Sequence, residues 1–177
     1  MKLASLNQNG RDGTLIVVDK QLQKAITVAD IAPTLIAVLE TWTSARPALE
    51  SVYQDLCHGR IKDSFDLDSR QLLSPLPRSP QWLDGSAYLS HVRRVRKARN
   101  AEMPDSFLTD PLMYQGASDT YLAPTEDIPL VDEAWGCDFE AEIAVVTGDI
   151  PMGLGADETD SKIYLLMLVN DISLRNL

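Results

Sequence analysis

Residues Cys137 to Val146, Cys-Asp-Phe-Glu-Ala-Glu-Ile-Ala-Val-Val, read as a β-strand that carries two carboxylates at a spacing of two. Side chains alternate sides along a strand, so Glu140 and Glu142 share one face while Phe139, Ala141 and Ile143 take the other. Two acids that close repel, and a hard metal ion held by their oxygens relieves the repulsion. The same spacing also occurs on ordinary solvated strand faces, where polar residues alternate outward. The rest of the chain has to separate these two meanings.

A chain of 177 residues has room for one domain, or for a small domain and part of a larger one. Sixteen basic against 26 acidic residues give a net charge of -10, which argues against a general attraction to nucleic acid or to anionic membrane. The opening Met1-Lys-Leu-Ala-Ser-Leu-Asn7 lacks the apolar core of a signal peptide, and no later stretch approaches the roughly 20 apolar residues of a membrane span. A cytoplasmic protein is expected. Cys57 and Cys137 stand far apart in no metal-type spacing, and read as buried free thiols.

Lys2 to Leu6 and Thr14 to Asp19 read as two strands joined by a turn, since Asn9-Gly10 and Asp12-Gly13 both favour positive φ. From Pro33 to Trp42 the apolar spacing is helical, with Asp30 placed to begin it, and a second helix is expected from about Pro47 to Cys57, ending near Gly59. His58, just before that glycine, reads as a helix-end histidine rather than a ligand. Pro75, Pro77 and Pro80 then change the texture to a connector, an edge strand or linker at a domain boundary.

Asp84 to Arg99 reads as a helix with Asp84 as its N-cap, which puts Asp84 and His91 on one face, two turns apart. A cap plus a surface histidine is the plainer alternative. The run Val92-Arg-Arg-Val-Arg-Lys-Ala-Arg99 has no interleaved aromatics, so it reads as a solvated face or a partner for acids within the chain. Pro104 to Asp119 reads as a loop, where Tyr114 either aims its hydroxyl at a ligand or packs on a sheet. Lys162 to Asp171 is apolar enough for a buried strand, following a helical turn from Asp157 and delivering Asn170, Asp171, Ser173 and Arg175 at its end.

Asp84 and His91 in Asp-x6-His, Tyr114 in Met-Tyr-Gln-Gly, Glu140 and Glu142 in Asp-Phe-Glu-Ala-Glu, and Asn170-Asp171-Ile-Ser-Leu-Arg175 together resemble the fumarylacetoacetate hydrolase family. The resemblance covers about residues 73–177, and residues 1–70 resemble the N-terminal extension of longer bacterial members. It implies an α+β fold, with a small N-terminal αβ module over 1–70 and the first part of a mixed β-roll over 71–177. It further implies Mg²⁺, or Ca²⁺ or Mn²⁺, bound by Glu140, Glu142, Asp171 and Asp84. By the same resemblance His91 is the general base towards water, Arg175 contacts the substrate carboxylate or the developing negative charge, and Tyr114 contacts substrate.

The implied chemistry is hydrolysis of a carbon–carbon bond in a β-diketo acid such as an acylpyruvate or fumarylacetoacetate, through a metal-stabilised enolate. Related hydratases, decarboxylases and isomerases of 2-oxo acids share that enolate, and the residues do not separate them. The implied partners are a small oxo acid and a second copy in a homodimer, or a second chain that completes the fold. Family members continue past the Asn-Asp motif with more of the roll, a substrate-binding lysine and an acid that orients the histidine. A truncated domain is therefore expected, and a non-catalytic fragment that keeps the metal site stands as the alternative.

Overall fold

The computed structural model describes residues 1–86, 88–110, 112–117 and 120–177. Ala87, Pro111, Ser118 and Asp119, which the sequence assigns to a helix and a loop, lie outside the described residues. The first reversal forms where its turn residues predict. Strands β1 (Lys2–Leu6) and β2 (Thr14–Val18) pair antiparallel from Lys2↔Val18 to Leu6↔Thr14. Asn9, Gly10 and Gly13 take positive φ between them. At Gly13 a β-carbon would also meet the Leu6 carbonyl oxygen at 2.6 Å, so glycine is required there twice over.

Two short strands that the sequence pattern does not announce, β3 (Lys24–Thr27) and β4 (Phe65–Asp66), extend the sheet in the order β1-β2-β3-β4, all antiparallel. On the other side the connector begins as an edge: Asn7 donates to the Gln71 carbonyl at 2.8 Å and Leu73 to the Ser5 carbonyl at 2.9 Å.

Helix α1 spans Leu35–Leu39 and is capped by Thr34, whose hydroxyl accepts from the Ala37 amide at 3.2 Å. Asp30 therefore does not begin it; a hydroxyl directly before the first turn outcompetes a carboxylate four residues further away. Helix α2 spans Trp42–Cys57 and holds Pro47 inside it, where the sequence expectation starts a helix at Pro47. Pro47 removes the bond to the Thr43 carbonyl, and the buried Trp42, Ala45 and Leu49 retain the helix around that gap. The helix ends as predicted near Gly59 (φ 67), with Gly59 donating to the Leu56 carbonyl and Arg60 to the Asp55 carbonyl.

Every residue of β2 is buried, because the strand is interior to its sheet and covered on both faces. Ile16 and Val18 join Leu6 and Ala25 over Phe65, Leu67 and Leu72, and α2 packs against β2 as well.

The chain divides into two compact units, Met1–Pro75 with Leu122–Leu177, and Leu76–Tyr121. The second unit holds β5 (Leu83–Ser86), helix α3 (Leu89–Ala98) and β6 (Leu112–Gln115). Asp84 is thus a strand residue and not a helix cap. The helix starts after an extended Tyr88 with no side-chain cap, so Asp84 and His91 do not share a helix face. Gly85 is a poor helix residue, and pairing of β5 with β6, Asp84 opposite Tyr114, gives those backbone groups their partners instead. Tyr114 likewise lies in a strand rather than in a loop.

The first unit is completed by β7 (Cys137–Thr147) and β8 (Ile163–Leu174), paired antiparallel from Cys137↔Leu174 onward with a register shift only at Val146/Thr147. A 3₁₀ turn over Ala156–Lys162 precedes β8, close to the helical turn expected from Asp157. Among the described residues no strand pair is parallel. The architecture is α+β, with helices and small sheets in both units. Two expectations about burial do not hold. Cys137 is exposed, Cys57 is half-buried, and both thiols are free. Strand β8 is not a buried strand, since Leu166 and Leu168 are 68% and 85% exposed; uniform apolar character does not distinguish a covered face from an uncovered one. Replacing the fully buried Leu49 by alanine should cost about 2–5 kcal/mol in urea unfolding, while Leu168→Ala should change stability by less than about 0.5 kcal/mol.

Candidate functional site

The β7–β8 hairpin carries most of the chemistry. In its register Glu140 lies directly opposite Asp171, Glu142 opposite Val169 and Asp138 opposite Ser173. Directly opposed residues of an antiparallel pair point to the same side, about 4.5–5.5 Å apart at Cβ. One face therefore collects Asp138, Glu140, Glu142 and Asp171.

That face is the more sheltered one. Glu140, Glu142, Ala144 and Asp171 are half-buried and Val146 is buried, while Phe139 and Ile143 on the other face are 66% and 70% exposed. This inverts the usual polar-out alternation. Carboxylates gathered on one face attract positively charged hydrogen-bond donors.

Arg175, just past the end of β8, supplies one. Its Nε donates to Asp138 Oδ2 at 3.0 Å and its Nη2 donates to Glu140 Oε1. The Ser173 hydroxyl donates to the same Glu140 oxygen at 2.8 Å. The backbone aims Arg175 there, because the ladder continues one step beyond the strands: the Arg175 amide donates to the Gly136 carbonyl and the Asn176 amide to the Trp135 carbonyl, both at 3.0 Å. The face combines four carboxylates with this guanidinium, and carboxylate oxygens are the donor type that a hard divalent cation prefers. Among the described residues, no three His, Cys, Asp or Glu side chains already converge as a metal cluster.

The second unit holds the other residues singled out by sequence. Asp84 faces Tyr114 across β5–β6, and the Trp82 ring packs edge-on against Tyr114, centroids 6.2 Å apart at 81°. Trp82 also lies over Gly116, where a β-carbon would come within 1.8 Å of its ring. Of the two meanings open for Tyr114, packing is thus present, although the residue remains largely exposed. His91 sits in the first turn of α3, half-buried, beside a groove of about 230 Å³ also lined by Ser86, Arg96 and Arg99.

The structure accordingly brings Glu140, Glu142, Asp171 and Arg175 together on one hairpin, and Asp84, His91 and Tyr114 within the other unit. Two contributors escape the sequence reading. Asp138 is legible there only as part of a motif, although its spacing of two from Glu140 already puts it on the acid face; Trp82 gives no signal as the support of Tyr114.

Residues 81–177, more than half of the chain, match the family described as fumarylacetoacetate (FAA) hydrolase C-terminal, and residues 1–78 match fumarylacetoacetase N-terminal domain 2. The chain belongs to the fumarylacetoacetate hydrolase family. No curated protein matches it in sequence. Membership of the fumarylacetoacetate hydrolase family supports hydrolase- or lyase-type chemistry on a small molecule, and that family is generally dependent on divalent metal. Among the described residues no helix is long and apolar enough to cross a membrane.

The Trp82 contact can be tested directly. Gly116→Ala should push the ring off Tyr114, alter the near-UV circular dichroism and cost about 1–3 kcal/mol, whereas Gly85→Ala, which meets only Met113 Sδ at 3.5 Å, should leave the spectrum unchanged.

Proposed function

We propose that this chain acts as a divalent-metal-dependent hydrolase that cleaves a carbon–carbon bond in a β-diketo acid of the acylpyruvate or fumarylacetoacetate kind. The observation that carries the proposal is the opposed Glu140–Asp171 pair on the sheltered hairpin face, with Glu142 one step along it. Opposed carboxylates on one strand face offer the hard oxygen ligands that a divalent cation prefers. Glu140, Glu142 and Asp171 are assigned as ligands of Mg²⁺, Ca²⁺ or Mn²⁺, and Asp84 as a further ligand by resemblance. A bound hard ion supplies Lewis-acid polarisation of the carbonyl under attack.

The protein's own groups do the rest. His91 takes a proton from water, whose oxygen adds to the carbonyl carbon; the carbon–carbon bond breaks with its electron pair on the departing carbon, and a proton returns to that carbon. Arg175 contacts the substrate carboxylate or the growing negative charge, and the Tyr114 hydroxyl contacts substrate. Residues 1–70 are taken as an N-terminal module and 71–177 as the hydrolase-type domain of a cytoplasmic, dimeric enzyme.

Acetylpyruvate hydrolysis in Mg²⁺ tests the reaction, and calorimetric titration with Mg²⁺ tests the ligands separately. Glu142→Ala and Asp171→Ala should lose both turnover and metal binding. His91→Ala should lower kcat by about 10²- to 10⁴-fold with metal affinity unchanged. A folded protein that binds Mg²⁺ yet cleaves no acylpyruvate would sink the enzymatic part and leave a metal-binding protein without this catalysis.

A further inference from the structure

Asp138 is the one acid of the hairpin face to which the proposed reaction gives no role. It also binds Arg175, through the guanidinium nitrogen that Glu140 does not take. Asp138 and Glu140 are two positions apart on β7, about 7 Å along the strand, and the guanidinium spans them. Nε is bound by Asp138 at 3.0 Å while Nη2 is bound by Glu140, so two bonds from one rigid plane to two separate carboxylates fix its orientation. Ser173, which faces Asp138 across the ladder, places its hydroxyl on the same Glu140 oxygen. The Glu140 side chain is only 14% exposed, whereas Asp138 stands at the more open rim.

We infer that Asp138 is a positioning residue: it clamps Arg175 so that the guanidinium stays on Glu140 Oε1, holds that carboxylate in place and aims its remaining N–H groups in a fixed direction. The consequence for metal rests on the ligand assignment proposed above. With Asp138 present, the guanidinium shares its charge between two carboxylates. Without Asp138, the full positive charge falls on Glu140, and a divalent ion has to compete with it. Groups that orient a metal's ligands typically carry 10- to 100-fold in affinity.

The test is a double-mutant cycle read by Mn²⁺ affinity, together with the arginine Nε–H resonances of the metal-free protein. Asp138→Asn should raise the Mn²⁺ dissociation constant about tenfold in the parent and change it by less than about twofold in an Arg175→Gln background, because the residue acts through Arg175. The Nε–H signal that disappears in Arg175→Gln should shift and exchange faster with solvent in Asp138→Asn. Equal losses in both backgrounds would overturn the clamp as a determinant of metal affinity, leaving only the effect of one lost charge. An Arg175 Nε–H signal unmoved by Asp138→Asn would overturn the clamp itself. A parent protein that takes up no Mn²⁺ overturns the metal assignment and the affinity consequence with it, while the Nε–H signal still decides the clamp.

Discussion

Glu140 facing Asp171 across an antiparallel ladder is the constraint on which the rest of the hairpin depends. That opposition exists only in one register, since a slip of one residue would send every side chain of β7 to the other face and put Phe139 and Ile143 where the acids are. The length of the pairing protects it. The rungs run from Cys137↔Leu174 without interruption to Val146↔Leu165, and the irregularity at Val146/Thr147 falls at the opposite end from the acids. Beyond the strands, the Arg175 and Asn176 amides continue the ladder at the acid end, so the rung that carries the charges lies inside a run of backbone bonds.

Position within the first unit explains how such a face is tolerated. At the far end of the hairpin Tyr164 stacks on Trp42, ring centroids 5.2 Å apart and 15° from parallel. Trp42 belongs to α2, which packs against the fully buried strand β2. The hairpin is therefore fixed by aromatic stacking at one end and compensated by Arg175 and Ser173 at the other. Between them Ala144 and Val146 give the sheltered face its apolar part.

Much of this was legible in the residues, and the failures share a cause. The β1–β2 reversal, both ends of β7 and the C-terminus of α2 follow from local signals: Asn-Gly and Asp-Gly pairs, alternation, and Gly59 after an apolar helix. The grouping of Glu140, Glu142, Asp171 and Arg175 was legible as a set of motifs. What was missed depends on partners distant in sequence. Leu83 to Ser86 became a strand because Leu112 to Gln115 lies beside it, β3 exists because β2 offers an edge, and β4 because β3 does. The uncovered face of β8 is invisible in a run of aliphatic residues. Asp138 could have been found by extending the alternation one step towards the N-terminus and asking which cation answers three acids on one face.

The proline inside α2 gives the helix a mechanical character beyond its packing. Pro47 deprives the Thr43 carbonyl of its helical donor, so the turn before it is joined to the rest of the helix by one bond fewer. That first turn begins with Trp42, the residue stacked on Tyr164. Helix α2 thus meets the acid-bearing hairpin through its first turn. Past the proline, the buried Leu49 and Leu56 keep the remainder of α2 seated on the core, so the stacking contact and the core contact of this helix lie on opposite sides of the missing bond.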